Sequence, residues 1–252
     1  MKYLIAILLL CSLSVPALAQ FEQRDTLFRA TKHEYFRPQQ LILPGALLAV
    51  GAWGVENGWL RHIDREVNKG MKDLSGGRTT GLDDYLRFAP LATTAILTRA
   101  GTPSPYTLEE KLAVRATSYM AYFALVGGLK QVVHEMRPDG SGDDSFPSGH
   151  TTVAFMGAEH IRAEYGGWYG VGAYTVATGV AFLRLYNQKH WLTDVVAGAG
   201  AGILCARVGY WLLPFERKLF HLKSNSYGTS FVAMPTYDAS RNALGCAMAY
   251  QF

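Results

Sequence analysis

The sequence predicts a mainly α fold: a single helical bundle of about six core helices, with a short β-hairpin-like tail at its C-terminus. Three observations carry this. Apolar runs too long for strands recur along the chain, separated by polar joints rich in Gly, Pro and Asp. Helix-opening signals stand at the head of several runs, as in Thr107 with Glu110 three residues on, which reads as a capping box. Strict alternation appears only at the end, where Leu244, Cys246, Met248, Tyr250 and Phe252 share one side of a period of two.

Taken in order, residues 41–55 form a first apolar helix with Pro44 near its start, and a short polar helix follows around residues 64–74 before Gly76-Gly77. Residues 88–97 are a second apolar run. A third long helix opens at Thr107 and continues to about Met136. A fourth starts at His150 and ends by Gly166-Gly167, a fifth covers residues 168–185, and a sixth runs over residues 191–213 until Pro214 stops it.

Residues 1–19 have the layout of a cleavable export signal: Lys2, an unbroken apolar run, then Ala17-Leu18-Ala19. Residues 20–40 are a polar lead-in, residues 41–215 the helical domain, and residues 216–252 the tail with its hairpin. The expected location is the bacterial cell envelope, with the functional end facing the periplasm. A formal net charge of +4 over 252 residues is too mild for nucleic-acid binding. Cys205 and Cys246 survive cleavage and give neither a disulfide framework nor a metal-ligand spacing. The longest uncharged stretches, residues 38–55 and 166–183, sit at the lower limit of about 20 apolar residues needed to cross a bilayer. Their small residues permit close helix packing, and membrane embedding or tight membrane association is the favoured reading.

Three blocks carry chemistry. Lys130 and Arg137, seven apart and followed by Pro138, fall on one helix face about 10 Å apart if the third helix persists, and suit a tetrahedral oxyanion. In Pro147-Ser148-Gly149-His150 a turn feeds a helix start. Ser148 can cap it, Gly149 admits a ligand close to the backbone, and the dipole end favours phosphate. Arg184, His190 and Asp194 add a third cation and a His/Asp pair spaced i, i+4, in which the carboxylate fixes one imidazole nitrogen and frees the other as a nucleophile. Each block opens or closes an apolar helix, so one end of one bundle can hold all three.

Together, Lys130-x6-Arg137-Pro138, Pro147-Ser148-Gly149-His150 and Arg184-x5-His190-x3-Asp194 resemble the three-part signature of the type 2 phosphatidic acid phosphatase and vanadium haloperoxidase superfamily. The sequence departs from it in two places: Leu183 stands where the family usually has Ser, and only residues 139–146 separate the first two blocks. The resemblance implies a phosphatase. In it His190 attacks phosphorus, Asp194 fixes its tautomer and His150 protonates the leaving oxygen, while Lys130, Arg137, Ser148, Gly149 and Arg184 hold the phosphate. No metal and no cofactor are expected, with vanadate an inhibitor. The expected substrate is a phosphorylated lipid, such as a polyprenyl pyrophosphate, a phosphatidate or lipid A, or a small phosphate ester. Protein partners are not indicated. The rival readings are a haloperoxidase with vanadate as cofactor, a soluble periplasmic non-specific acid phosphatase, and an inactive envelope or assembly protein.

His134, Glu135, Asp139, Asp143 and Asp144 lack a fixed ligand spacing and read as a solvated loop. His160 and Glu159 read as surface or packing residues. Tyr186, Trp191, Trp168 and Tyr169 are candidates for an apolar entrance.

Overall fold

The computed structural model describes residues 35–223 and, as backbone alone, two strands beyond them. The expected signal segment, residues 1–19, and Phe252 lie outside the described residues. After a 3-10 turn, Pro38–Leu41, come α1 (Ile42–Glu56) and α2 (Gly58–Ser75), which meet at an angle of 91°. Two short helices follow, α3 (Leu82–Leu86) and α4 (Ala89–Arg99). The bundle proper is α5 (Leu108–Val132), α6 (Gly149–Tyr165), α7 (Gly167–Tyr186) and α8 (Leu192–Phe220). The tail is an antiparallel hairpin, β1 (Ser230–Asp238) with β2 (Ala243–Gln251), whose register pairs Tyr237 with Leu244 and Phe231 with Tyr250.

The mainly α reading holds, and four boundaries differ from expectation. The capping box of α5 is present, with Thr107 Oγ1 accepting from Glu110 N and Glu110 Oε2 from Thr107 N. The helix nevertheless ends at Val132, not near Met136, after a π-helical turn over Phe123–Gly127. Glu135 instead forms a parallel bridge with Asp144, and a segment paired that way is extended. The polar helix α2 is longer than expected, closed by Gly76 at φ +57°, a left-handed conformation that glycine tolerates at little cost. Pro214 does not stop α8. The ring removes one N–H, but Leu213 and Glu216 on either side are buried and Arg217 Nε reaches Glu110 Oε1 at 2.6 Å, so packing carries the helix on to Phe220. The boundary expected at residue 215 therefore falls inside a helix.

The core is where α6, α7 and α8 meet. Ala154, Ala158 and Ile161 pack on Ala173, Ala177, Val180 and Ile203. Small side chains let these helices approach closely; a Cβ on Gly198 would lie 2.7 Å from the carbonyl oxygen of Ser148. That contact presses the head of α8 against the loop that opens α6. Cys205 is buried and unpaired in this core. Among the described residues, two helices are long and apolar enough to cross a membrane, α5 and α8. Neither of the 18-residue stretches singled out from the sequence meets that test alone; the first does so only as the bent α1–α2 pair. The apolar face of α5 is largely uncovered, with Leu112, Met120 and Phe123 each more than half exposed.

Candidate active site

Helix ends build the site. α5 and α7 finish where α6 and α8 begin, so Lys130, Arg184, His150 and Asp194 gather at one end of the bundle without any loop having to cross it. Arg137 joins them from the extended segment after α5 rather than from a helix face, which corrects the expected two-turn spacing. Its loop is short and tied down. Arg137 N donates to Gly142 O, Asp139 N to Gln188 O, and Lys189 Nζ to Asp139 Oδ2 at 2.6 Å.

His190 lies just before α8 and is 3% exposed. Its Nδ1 is 3.6 Å from Asp194 Oδ2 and 3.5 Å from Ser145 Oγ, so the carboxylate stands on the Nδ1 side and Nε2 is left for chemistry. Asp194 is fixed in turn: its Oδ2 accepts from Ser145 Oγ at 2.5 Å and from Trp191 N at 2.8 Å. Asp64 of α2 caps the same helix from outside, accepting from Thr193 N and Thr193 Oγ1. Burial, followed by the charges of Arg184 and Lys130, pulls the His190 imidazole below its usual range despite Asp194. A neutral imidazole with a free lone pair is the form a nucleophile needs.

His150 opens α6. Its Nε2 is 2.8 Å from Asp84 Oδ1 and its Nδ1 is 3.4 Å from Arg87 Nη1. A guanidinium can only donate, so Nδ1 is the acceptor and the proton sits on Nε2 toward Asp84. Burial and the Arg184 charge hold this group down to about 4. Ser148 does not cap the helix as expected. It is fully buried, its Oγ accepts from Thr151 Oγ1 and its N donates to Asp194 O, so its hydroxyl takes none of the first N–H groups of α6. Those groups keep their capacity for an anion. At Gly149 a Cβ would lie 3.0 Å from the Tyr122 hydroxyl, so a side chain there would need that hydroxyl to shift.

Lys130, Arg137 and Arg184 each lie against an aspartate. Lys130 Nζ donates to the backbone oxygen of Asp144 and is 4.0 Å from its Oδ2, Arg137 Nη2 reaches Asp144 Oδ1 at 2.9 Å, and Arg184 Nη1 reaches Asp83 Oδ2 at 2.5 Å. Asp83 is buried and also held by Asn187, whereas Asp144 and Asp84 are about half exposed on the rim and can exchange for an incoming phosphoryl group. The pairing leaves donors over. Among the described residues, the buried side-chain donors that find no acceptor are Arg87 Nε, Arg137 Nε, Arg184 Nε and Gln188 Nε2, and all four belong to this end of the bundle. Buried N–H groups ordinarily find acceptors, so such a cluster marks a surface built for an anion.

A comparison with protein-family models matches residues 94–218 to the PAP2 superfamily, a span that contains every residue of the three blocks. The chain belongs to the PAP2 superfamily. Among curated proteins, the lipid A 1-phosphatase of Porphyromonas gingivalis is 44% identical over 96 residues, which is 35% of this chain and 22% of that one. The putative undecaprenyl-diphosphatase YbjG of Escherichia coli is 37% identical over 62 residues, 25% of this chain and 31% of that one. The matched segments thus span under a third of either relative's length. Of solved structures, Aquifex aeolicus LpxE is 21% identical, with a TM-score of 0.43 over 56% of this chain and 92% of that one. The phosphatidylglycerolphosphate phosphatase of Bacillus subtilis is 18% identical, with a TM-score of 0.42 over 72% of this chain and 99% of that one.

All eight residues singled out from the sequence, Lys130, Arg137, Ser148, Gly149, His150, Arg184, His190 and Asp194, gather at this end of the PAP2 bundle. The acidic loop is not a solvated cluster throughout: Asp139 and Asp144 each take a cation, and Glu135 is buried beside Asp194. Glu159 and His160 are buried, not surface residues. Trp191 lies at the site's edge, its Nε1 donating to Met136 O, whereas Trp168 and Tyr169 open α7 at the far end and cannot line this entrance. Asp83, Asp84, Arg87, Arg61, Asp64 and Ser145 also belong to the site and carry no sequence motif that marks them. Asp84 lies 66 positions from its partner His150 and Asp64 lies 129 from Thr193, separations at which one sequence carries no pairing signal.

Proposed function

We propose that this chain is a phosphatase that removes phosphate from a lipid phosphomonoester or diphosphate at a membrane surface, through a phosphohistidine on His190. The observation that carries the reading is the cluster of unpartnered buried donors on Arg87, Arg137, Arg184 and Gln188, set beside two histidines. Lys130 and Arg137, giving up the rim carboxylate of Asp144, join Arg184 and the head of α6 in holding three phosphoryl oxygens. His190 Nε2 bonds to phosphorus as the bond to the leaving oxygen breaks, and His150, brought to its imidazolium form by the negative charge of the bound phosphoryl group, gives that oxygen a proton and becomes neutral. Water then loses a proton to His150, adds to phosphorus, and the N–P bond breaks to free inorganic phosphate. The uncovered apolar face of α5 supports a lipid substrate, because a membrane-seated bundle meets lipid from the side. The similarity to a lipid A 1-phosphatase and to a putative undecaprenyl-diphosphatase supports the same class, and the export-type sequence of residues 1–19 supports a periplasm-facing site.

The test is phosphate release by the purified chain from a panel running from soluble esters to polyprenyl diphosphate and lipid A. Lipid-dependent release that vanadate blocks is expected. Release from soluble esters alone removes the lipid assignment, and halide oxidation with vanadate and peroxide in place of phosphate release removes the phosphatase.

A further inference from the structure

Behind the His190–Asp194 pair stands a third carboxyl that the scheme above does not use. Glu135, in the extended segment after α5, is 4% exposed. Its backbone oxygen accepts from Ser145 N at 2.9 Å, and Ser145 Oγ is the group that bonds Asp194 Oδ2. Its side chain pairs with Arg61 of α2 through Oε1 and lies beside the Asp194 carboxyl, whose charge it feels.

The acceptors here do not balance. Asp194 Oδ2 is saturated by Ser145 Oγ, Trp191 N and the approach of His190 Nδ1. Asp194 Oδ1 and both Glu135 oxygens are buried and receive no hydrogen bond, Oε1 having only its ion-pair contact with Arg61. Two ionised carboxylates only accept, so set face to face in a buried site they repel and leave both oxygens unsatisfied. One proton between them removes both penalties.

We propose that Glu135 is a positioning residue of the reaction, whose protonated carboxyl donates to Asp194 Oδ1 and so holds the ionised Asp194 with its other oxygen toward His190. The inference deepens the phosphohistidine reading and rests on it. As Nε2 bonds to phosphorus, positive charge grows on the imidazole, and Asp194 has to stay both charged and aimed to stabilise it. The charged groups that act on Glu135 are Arg61 on α2 and Asp194 at the head of α8, with Asp144 bridged to it along the backbone. Arg61 pulls toward ionisation, but it is 28% exposed and its Nε is spent on Val55 O. Burial and the Asp194 charge outweigh it and push Glu135 up to about 8.

The sign follows. At neutral pH the donor proton is present, and it is lost as pH rises through about 8, which places a second negative charge behind Asp194. Glu135→Gln keeps a carbonyl for Arg61 and an amide donor for Asp194 and does not titrate, so in the full chain it should retain kcat to within about 3-fold and lose the alkaline limb of the pH profile. Glu135→Ala should lose roughly 10- to 100-fold in kcat with KM little changed. A folded Glu135→Gln variant as weak as the alanine variant, or one that keeps the wild-type alkaline limb, overturns the proposal. An infrared titration gives a readout that does not depend on turnover. A protonated-carboxyl band persisting to about pH 8 in wild type and missing in Glu135→Gln is expected, and its absence from wild type overturns the proposal even where phosphate release is normal. Absence of phosphate release from every substrate, with the band present, overturns the phosphatase reading instead.

Discussion

The two ends of the bundle contain the same kinds of buried charge and handle them in opposite ways. At the far end five buried or partly buried cations close on carboxylates or hydroxyls. Arg115 Nη2 bridges both oxygens of Glu164, Arg162 and Arg207 share Glu159 with the Tyr174 hydroxyl, Arg217 holds Glu110, and Lys111 sits on Thr98 and Tyr165. At the site end, Arg87, Arg137 and Arg184 each keep a buried Nε without an acceptor. Helix α6 carries the contrast in a single element. His160 is sealed against Ser118 and Tyr210, while His150, ten residues earlier, lies between an exposed carboxylate and a partly exposed guanidinium. A matched buried network holds helices together; surplus donors are held ready for a ligand. Residue type does not distinguish the two, and satisfaction does.

Several substitutions sharpen this contrast. The largest effect falls on chemistry at the site end. Arg137→Ala should lower kcat/KM for phosphate release by about 10² to 10³ with little change in the thermal midpoint, because it removes transition-state donors and leaves a partly exposed Asp144 that water can solvate. Glu164→Ala should do the reverse. It leaves Arg115 buried and uncompensated and is expected to cost about 3–5 kcal/mol of stability, read by denaturant or thermal unfolding, while turnover per folded molecule persists. Equal loss of activity and stability in both variants would erase the distinction between the two ends.

A third expectation concerns acid. Burial, with Arg115 second, lowers His160 to about 3, against an unfolded value of about 6.5. The folded chain therefore binds this proton later than the unfolded chain does. The stability tied to neutral His160 is present above about pH 6.5 and drains away as pH falls toward 3. His160→Gln should flatten the thermal midpoint against pH in that window; an unchanged acid slope would show that other groups govern it. The smallest effect is expected at the rim, where Lys189→Ala breaks a partly exposed pair with Asp139 and should shift stability by less than about 1 kcal/mol, with the shift fading in salt.

What the sequence made legible follows the same division. Lys130, His150, Arg184, His190 and Asp194 were readable because each lies at a helix end, where apolar periodicity stops and local spacing dictates geometry. Arg137 was found for a partly mistaken reason, since the helix meant to carry it ends at Val132 and a loop delivers it. Pro214 misled because a local rule about a missing N–H was outweighed by the packing of Leu213 and Glu216. Glu135 reads as part of a solvated loop because its charge is plain in the sequence, while its burial arises only when α2 and the head of α8 close over it. Asp83, Asp84, Arg61 and Asp64 reach the site from the first third of the chain, and the polar faces of α2 and α3 gave no sign of facing inward.

The most direct measurement is to trap the covalent intermediate. Wild type and His190→Ala are quenched in alkali during turnover of a lipid substrate labelled in its phosphate, and the label on protein is counted and mapped. The expected result is an alkali-stable, acid-labile phosphoryl group on His190 in wild type, with neither label nor phosphate release in His190→Ala. Sustained phosphate release by a folded His190→Ala variant, or label mapped to any other residue, would contradict the account.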